Sequence, residues 1–112
     1  MKIGAHVSIS GGIDKAIDRA LEIGAETIQI FASSPQVWAF KPPNPSTTAS
    51  FVSKVSAAAI DPVFLHAIYL VNLGTQAPDH LNKSIDALTK YMHVAAEIGA
   101  SGVIFHVGSH KG

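Results

Sequence analysis

Six histidines stand out in a chain of 112 residues, because imidazole is the commonest protein metal ligand and titrates nearest neutral pH. Three of them, His6, His66 and His106, each close a short apolar run: Ile3-Gly4-Ala5-His6, Val63-Phe64-Leu65-His66 and Val103-Ile104-Phe105-His106. If these runs are parallel strands, their carboxyl ends share one rim, where the ligands of α/β folds bind. Three imidazoles on one rim make a candidate metal site. Zinc accepts such ligands, and in catalytic sites carboxylates and water complete its shell. One histidine at a strand end is an ordinary core residue; three at equivalent positions point to a site. His110, in the loop beyond His106, suits an outer partner of the metal, a phosphate contact or a solvated position equally. His80 and His93 fall on a helix and are assigned no role.

The sequence narrows the remaining chemistry. No strand end carries Asp or Glu, so the carboxylates that bridge metals and activate water are not among these residues. There is no cysteine, hence no thiolate metal site and no disulfide framework, and a reducing cytoplasm is the default expectation. Ser8, Ser10 and Ser109 sit in no nucleophile motif, and Gly11-Gly12 matches neither phosphate-loop pattern. Eight basic residues balance eight acidic ones. That argues against a protein gripping nucleic acid through a basic surface, but it leaves room for a DNA enzyme whose positive charge comes from bound metal. Nearly half the residues are apolar and few are charged, a globular composition. The apolar runs are too short to span a bilayer, and the start lacks a signal-peptide layout.

The elements that must position the histidines are legible from a repeat. Glu22-Ile23-Gly24-Ala25 and Glu97-Ile98-Gly99-Ala100 each end a helical pattern and precede an apolar strand. Glycine is the usual helix stop because it adopts the left-handed conformation cheaply. A looser third copy is Ala57-Ala58-Ala59-Ile60-Asp61-Pro62 before Val63. Helices are expected over about residues 11–23, capped by Ser10, over 47–59, and over 79–98. Their apolar faces read Ile13, Ala16, Ile17, Ala20, Leu21 and Ile23; then Phe51, Val52, Val55 and Ala59; then Leu81, Ile85, Leu88, Met92, Ala95, Ala96 and Ile98. Strands are expected at residues 2–6, 27–31, 63–66 and 102–106. The prolines of Lys41-Pro42-Pro43-Asn44-Pro45 hold off the second helix until about Ser46.

Alternating strands and helices at this spacing imply right-handed βαβ units and a parallel sheet. Eight such units would need about 250 residues, the usual size of a (β/α)8 barrel. The expected fold is therefore α/β: a truncated half-barrel of four parallel strands and three helices, residues 1–112 forming the N-terminal half of one barrel domain. A small doubly wound α/β domain is the competing architecture. A half-barrel with unpaired edges and an exposed apolar sheet face is expected to self-associate near Val103 and Ile104. Two rim loops are unusually apolar: residues 32–40, with Gln36, Trp38 and Phe40, and residues 67–73, with Tyr69 and Leu70. Apolar residues beside an amide suit a wedge into damaged duplex DNA; packing on the barrel mouth is the other reading. Packing is preferred for Trp38 and Phe40, and for Tyr69-Leu70 the two stand even.

These residues resemble a family. Gly4-Ala5-His6-Val7-Ser8 with Gly11-Gly12, Ile30-Phe31 with Ser34-Pro35-Gln36 and Trp38, His66 with Tyr69-Leu70 and Asn72-Leu73-Gly74, and Phe105-His106 with Gly108-Ser109-His110 are similar, in order and spacing, to endonuclease IV. The resemblance implies a barrel holding three zinc ions, cleaving the phosphodiester on the 5′ side of an abasic site in double-stranded DNA and leaving a 3′ hydroxyl. It implies His66 and His106 as ligands of one zinc, His6 near the cluster without ligating it, and Gln36, Tyr69 and Leu70 as DNA contacts, with His110 expected beside the site as an outer residue. The remaining ligands, including every acidic one, would come from later strands, so the 112 residues alone are expected not to cleave. Gln36-Val37 stands where some members are basic, Ala67-Ile68 replaces a more polar pair, and Val107 replaces a common proline. A sugar isomerase or epimerase on a related barrel, or an inactive half-barrel, is the alternative.

Overall fold

In the computed structural model, which describes Met1–Gly112 throughout, strands and helices alternate as the repeat requires. The order is β1 (Gly4–His6), α1 (Lys15–Glu22), β2 (Thr27–Ile30), α2 (Pro45–Ala58), β3 (Val63–His66), α3 (Pro78–Ile98) and β4 (Gly102–Ile104). The strands form one sheet in the order β1-β2-β3-β4, every pair parallel. A doubly wound sheet reverses its strand order at a switch point; this one does not. Sequential winding, with α1 packed on α2 and α2 on α3, is that of a half-barrel. No helix is long and apolar enough to cross a membrane.

All three helices close identically, which explains the repeat. Ala25 N–H donates to Ala20 O, Ala100 N–H to Ala95 O and Ile60 N–H to Val55 O, at 2.9, 2.8 and 3.2 Å. Each bond spans a residue with positive φ: Gly24 at 68°, Gly99 at 71° and Ala59 at 54°. This is a Schellman closure, and it turns the chain from the helix layer into the next strand. The third copy makes the same turn without glycine.

Helix starts depart from expectation. Helix α1 begins at Lys15, about a turn later than residue 11, and Ser10 does not cap it; Asp14 precedes the helix with no side-chain cap bond. Gly11 and Gly12, at φ 88° and 129°, are turned out of helical space. Helix α2 begins earlier than expected, at Pro45, with Asn44 accepting from Thr47 N–H at 2.8 Å. Proline at the first helical position has no N–H to lose and a φ already suited to the helix, so it starts α2 where it was expected to delay it.

The expected helix faces are partly corrected. Ile13, Ala16, Ile17, Ala20 and Phe51 are buried as read, but Leu21, Ile23, Val52, Ile85 and Met92 are exposed. Helix α3 buries Ala95 and Ile98 as read, together with Ser84, Ala87, Tyr91 and Val94, which the expected face did not include. The exposed Ile85 and Met92 lie beside this face, which combines the small Ser84, Ala87 and Ala95 with the large Tyr91 and Ile98. The strands also show two unlike faces. Ile28, Ile30, Val63 and Leu65 point into the helix layer and are buried, and Val103 packs there too. The expected open apolar face is therefore wrong in part: Val103 is not on it, and Ile104 is its edge residue, 41 % exposed.

Candidate functional site

The alternate residues of the strands project from the other face, and at its carboxyl end the histidines meet. His6 ends β1 and His66 ends β3, while His106 lies two residues past the end of β4, which is shorter than expected. The ring centroids of His6 and His66 are 6.5 Å apart, and those of His66 and His106 are 5.2 Å apart. Phe31, the residue after β2, sits among them: its ring lies 4.6 Å from His6, 5.4 Å from His66 and 5.4 Å from Tyr69. Parallel pairing thus brings four separate stretches to one rim, as the spacing predicted. The three histidines nevertheless do not converge: no three His, Cys, Asp or Glu side chains are grouped to hold one metal ion.

Hydrogen bonds fix two of the rings. His66 Nδ1 lies 2.7 Å from Ala67 O. A carbonyl only accepts, so Nδ1 carries the proton and Nε2 is left with a free lone pair, the usual arrangement of a metal-ready histidine. His6 Nδ1 lies 2.9 Å from Gln29 Nε2; the amide donates, which leaves His6 with its proton on Nε2. Although His6 is exposed as a whole, partial burial of its ring, and then the charge of neighbouring His66, hold its pKa below the ordinary imidazole value. His66 is half-buried and His106 exposed. Two adjacent imidazoles, one with its tautomer set for ligation and neither with a carboxylate beside it, fit half of a tetrahedral zinc site.

The loops that follow are built against one another. Tyr69 N–H donates to Pro35 O at 2.8 Å, joining the loop after β3 to the loop after β2. Gln36 is exposed, Tyr69 is 56 % exposed and Leu70 is half-buried against the core. Ala67, Ile68 and Val71 are buried, and Trp38 and Phe40 pack on the core, in line with the packing reading for those two. The Tyr91 hydroxyl anchors the β2 loop from below, 2.9 Å from Ser33 Oγ and accepting from Ala32 N–H; its burial pushes the phenol pKa up.

Asn72 ties the β3 loop to the β4 loop. Its Oδ1 accepts from Gly74 N–H and Ser109 N–H, and its Nδ2 donates to Ser109 O. A Cβ on Gly108 would lie 2.0 Å from Asn72 Oδ1, so only glycine fits there. His110 faces a separate hollow lined by Asn72, Thr75, His80, Ser109 and Lys111. Gln29, Asn72 and His80 were given no role from the sequence. The alternation of Thr27-Ile28-Gln29-Ile30 puts Gln29 on the face of His6, and Asn72 two residues before Gly74 is a turn signal. Nothing local marked His80.

The family model described as xylose isomerase-like TIM barrel matches residues 17–112. The chain belongs to that family. Among curated relatives, it is 37% identical over 110 residues to a protein named "Probable endonuclease 4" from Methanosphaerula palustris, covering 98% of this chain and 38% of the relative. It is 38% identical over 112 residues to the protein of the same name from Persephonella marina, covering 100% of this chain and 39% of the relative. Of solved structures, endonuclease IV from Thermus thermophilus superposes with a TM-score of 0.92 at 33% identity, over 99% of this chain and 42% of that one. A xylose isomerase domain protein from Planctomyces limnophilus shares the fold alone, with a TM-score of 0.63 at 15% identity. The chain spans about two fifths of the length of the relatives it matches, and what it is similar to is the N-terminal part of endonuclease IV.

Proposed function

We propose that residues 1–112 are the N-terminal half of a single (β/α)8 barrel domain belonging to a cytoplasmic, zinc-dependent endonuclease of base excision repair, which cuts the phosphodiester 5′ to abasic sites in double-stranded DNA. The observation that carries this reading is His66: its Nδ1–H is committed to Ala67 O, leaving Nε2 free beside His106, in a chain that superposes on endonuclease IV. His66 and His106 would hold one zinc of a three-zinc cluster. Zinc, when bound, polarises a phosphoryl oxygen and acidifies a water. His6, kept as an Nε2–H donor by Gln29, faces the same rim and can donate to an anionic oxygen there. Gln36, Tyr69 and Leu70 would contact DNA: Tyr69 and Leu70 fill the stack where a base is missing, and Gln36 reads an edge. His110, in its separate hollow, is an outer group that can contact phosphate. The two open sheet edges, β1 and β4, and exposed Ile104 make self-association of the 112-residue chain the expected behaviour in isolation.

The test separates metal from DNA in a protein of the relatives' full length that carries this segment. His66→Ala is expected to lose zinc first, with DNA affinity falling as a consequence. Replacing Tyr69 and Leu70 together by alanine is expected to leave zinc content normal and weaken abasic-duplex binding by roughly tenfold or more, because filling an unstacked step is worth a few kcal/mol. The 112-residue chain alone is expected to bind zinc weakly and not to incise. A lowered melting temperature with unchanged abasic affinity in the double variant would overturn the wedge. Zinc retained at full stoichiometry in His66→Ala would overturn the metal assignment.

A further inference from the structure

The two loops proposed to meet DNA are joined through a side chain that belongs to neither. His80 lies in the first turn of α3. Its Nε2 is 2.7 Å from Leu70 O, so it donates to the backbone of the β3 loop. The same ring meets Trp38 of the β2 loop edge-on, with centroids 5.4 Å apart and planes at 90°. A third tie, Tyr69 N–H to Pro35 O at 2.8 Å, joins the loops directly. The α3 turn that carries His80 is itself fixed. The hydroxyl of Ser84, fully buried, donates to the His80 carbonyl at 2.9 Å and receives Asn72 N–H at 3.0 Å.

We infer that His80 is a positioning residue: by holding Leu70 O and seating Trp38, it makes the loops bearing Gln36 and Tyr69-Leu70 move as one body. The physical reason is geometric. The flanks of the β3 loop, Ile68 and Val71, are buried, whereas Tyr69 at its tip is largely exposed and Leu70 half-buried, so the backbone direction at Leu70 is left to its hydrogen bond. A wedge that swings freely gives up binding energy to order itself on DNA, and pre-organisation removes that cost. A ring nitrogen anchored to a helix start sets the direction of the carbonyl between Leu70 and Val71. The perpendicular ring contact then transmits the same position to Trp38. The functional half of this inference rests on the reading of Gln36, Tyr69 and Leu70 as DNA contacts; the coupling of the loops does not.

The experiment compares wild type, His80→Ala and His80→Gln. Glutamine places an amide N–H near the position of imidazole Nε2 but has no ring for Trp38. Trp38 is the single tryptophan, so its emission reports on the ring contact directly. In His80→Ala, amide hydrogen exchange over residues 33–40 and 67–71 is expected to accelerate together, by about tenfold on the scale of one lost hydrogen bond and its packing. The strand amides should stay as protected as before, and Trp38 emission should move to longer wavelength. His80→Gln is expected to restore protection over residues 67–71 and to leave the emission shifted. Acceleration spread evenly over the sheet would mean a merely structural role and overturn the inference, as would an unchanged Tyr69 amide with unmoved emission. In a protein of full length, His80→Ala is expected to lower abasic-duplex affinity about fivefold with zinc content intact, and His80→Gln to recover most of it, in keeping with one hydrogen bond's net worth. Coupled loops with unchanged abasic affinity would instead overturn the DNA assignment of the loops and leave the coupling standing.

Discussion

On the helix side of the sheet, Ile28, Ile30, Val63 and Leu65 are all but sealed from water; on the other side Thr27, Gln29, Phe64 and His66 alternate with them and stay partly open. The residues of β2 and β3 therefore serve two purposes at a period of two. The covered face is uniformly apolar and meets α1, α2 and α3. The open face carries an amide, a hydroxyl, an aromatic ring and an imidazole, and its upper end is where His6, Phe31, His66 and His106 gather. What the contrast teaches is a division of labour. Burial on one face fixes the strands, and fixed strands place polar groups on the other face without those groups having to contribute to folding.

The largest expected effect tests that division directly. Leu65 is fully buried, and Leu65→Ala is expected to cost about 2–5 kcal/mol, the lost transfer energy plus the cavity left behind. Gln29 pairs across β2–β3 with Phe64, the chain neighbour of Leu65, and lies on the open face. Gln29→Ala is expected to cost under about 0.5 kcal/mol, as for a surface change, while freeing the His6 ring from its partner. Urea unfolding of the two variants measures both. Equal losses would break the comparison, because the open face would then be part of the core.

The covered face was the part most legible in the sequence. Strand positions, the Ile-Gly-Ala closures and the buried Ile17, Ile28, Ile30 and Leu65 follow from local patterns of apolar residues and glycine. The rim was legible in outline, since residues at strand ends must share an end of a parallel sheet. What escaped was set by tertiary approach. Helix α3 carries apolar residues on two adjacent stripes, and only docking decides that Tyr91 and Val94 go inward while Ile85 and Met92 stay out. His80 is far from Trp38 in the chain and meets Leu70 across a turn, and no period links the three. The start of α1 was misplaced because Ser10 before a glycine pair looks like a cap, whereas the positive φ of both glycines delays the helix.

A smaller effect of opposite sign sharpens the same comparison. Ala59 holds the left-handed conformation, φ 54°, at the closure where the sister helices use Gly24 and Gly99. A side chain with a Cβ is strained there, so Ala59→Gly is expected to stabilise by up to about 1 kcal/mol, less the entropy glycine loses on folding. Ala59 precedes β3 at the end away from the histidines. The urea midpoint should therefore rise while the zinc affinity proposed for His66 and His106 stays unchanged. A changed zinc affinity would mean that the amino ends of the strands control the rim, which the division of labour does not allow.

The smallest expected effect lies outside both faces, on the outer surface of the helix layer. Lys54 on α2 reaches across to Asp18 on α1, with Nζ 2.8 Å from Oδ2 and 3.0 Å from Oδ1. The hydrogen bond from Lys54 is the first cause that holds the Asp18 carboxyl below its ordinary pKa, with the charge of Lys54 adding to it. A depressed carboxylate pKa makes a contribution that is fully present above the unfolded value and is lost as pH falls through the folded one. Since both side chains are in contact with solvent, the contribution is small and salt-screened. Asp18→Asn is therefore expected to lower the urea midpoint slightly at neutral pH in low salt. The difference from wild type should vanish once the pH is below the folded pKa of Asp18, where the wild-type carboxyl is itself neutral. It should also shrink in high salt at neutral pH. A difference that persists in acid would mean that the substitution acts through something other than this ion pair, and one as large as that of Leu65→Ala at neutral pH would mean that the contact between α1 and α2 rests on the ion pair and not on the apolar residues buried beneath it.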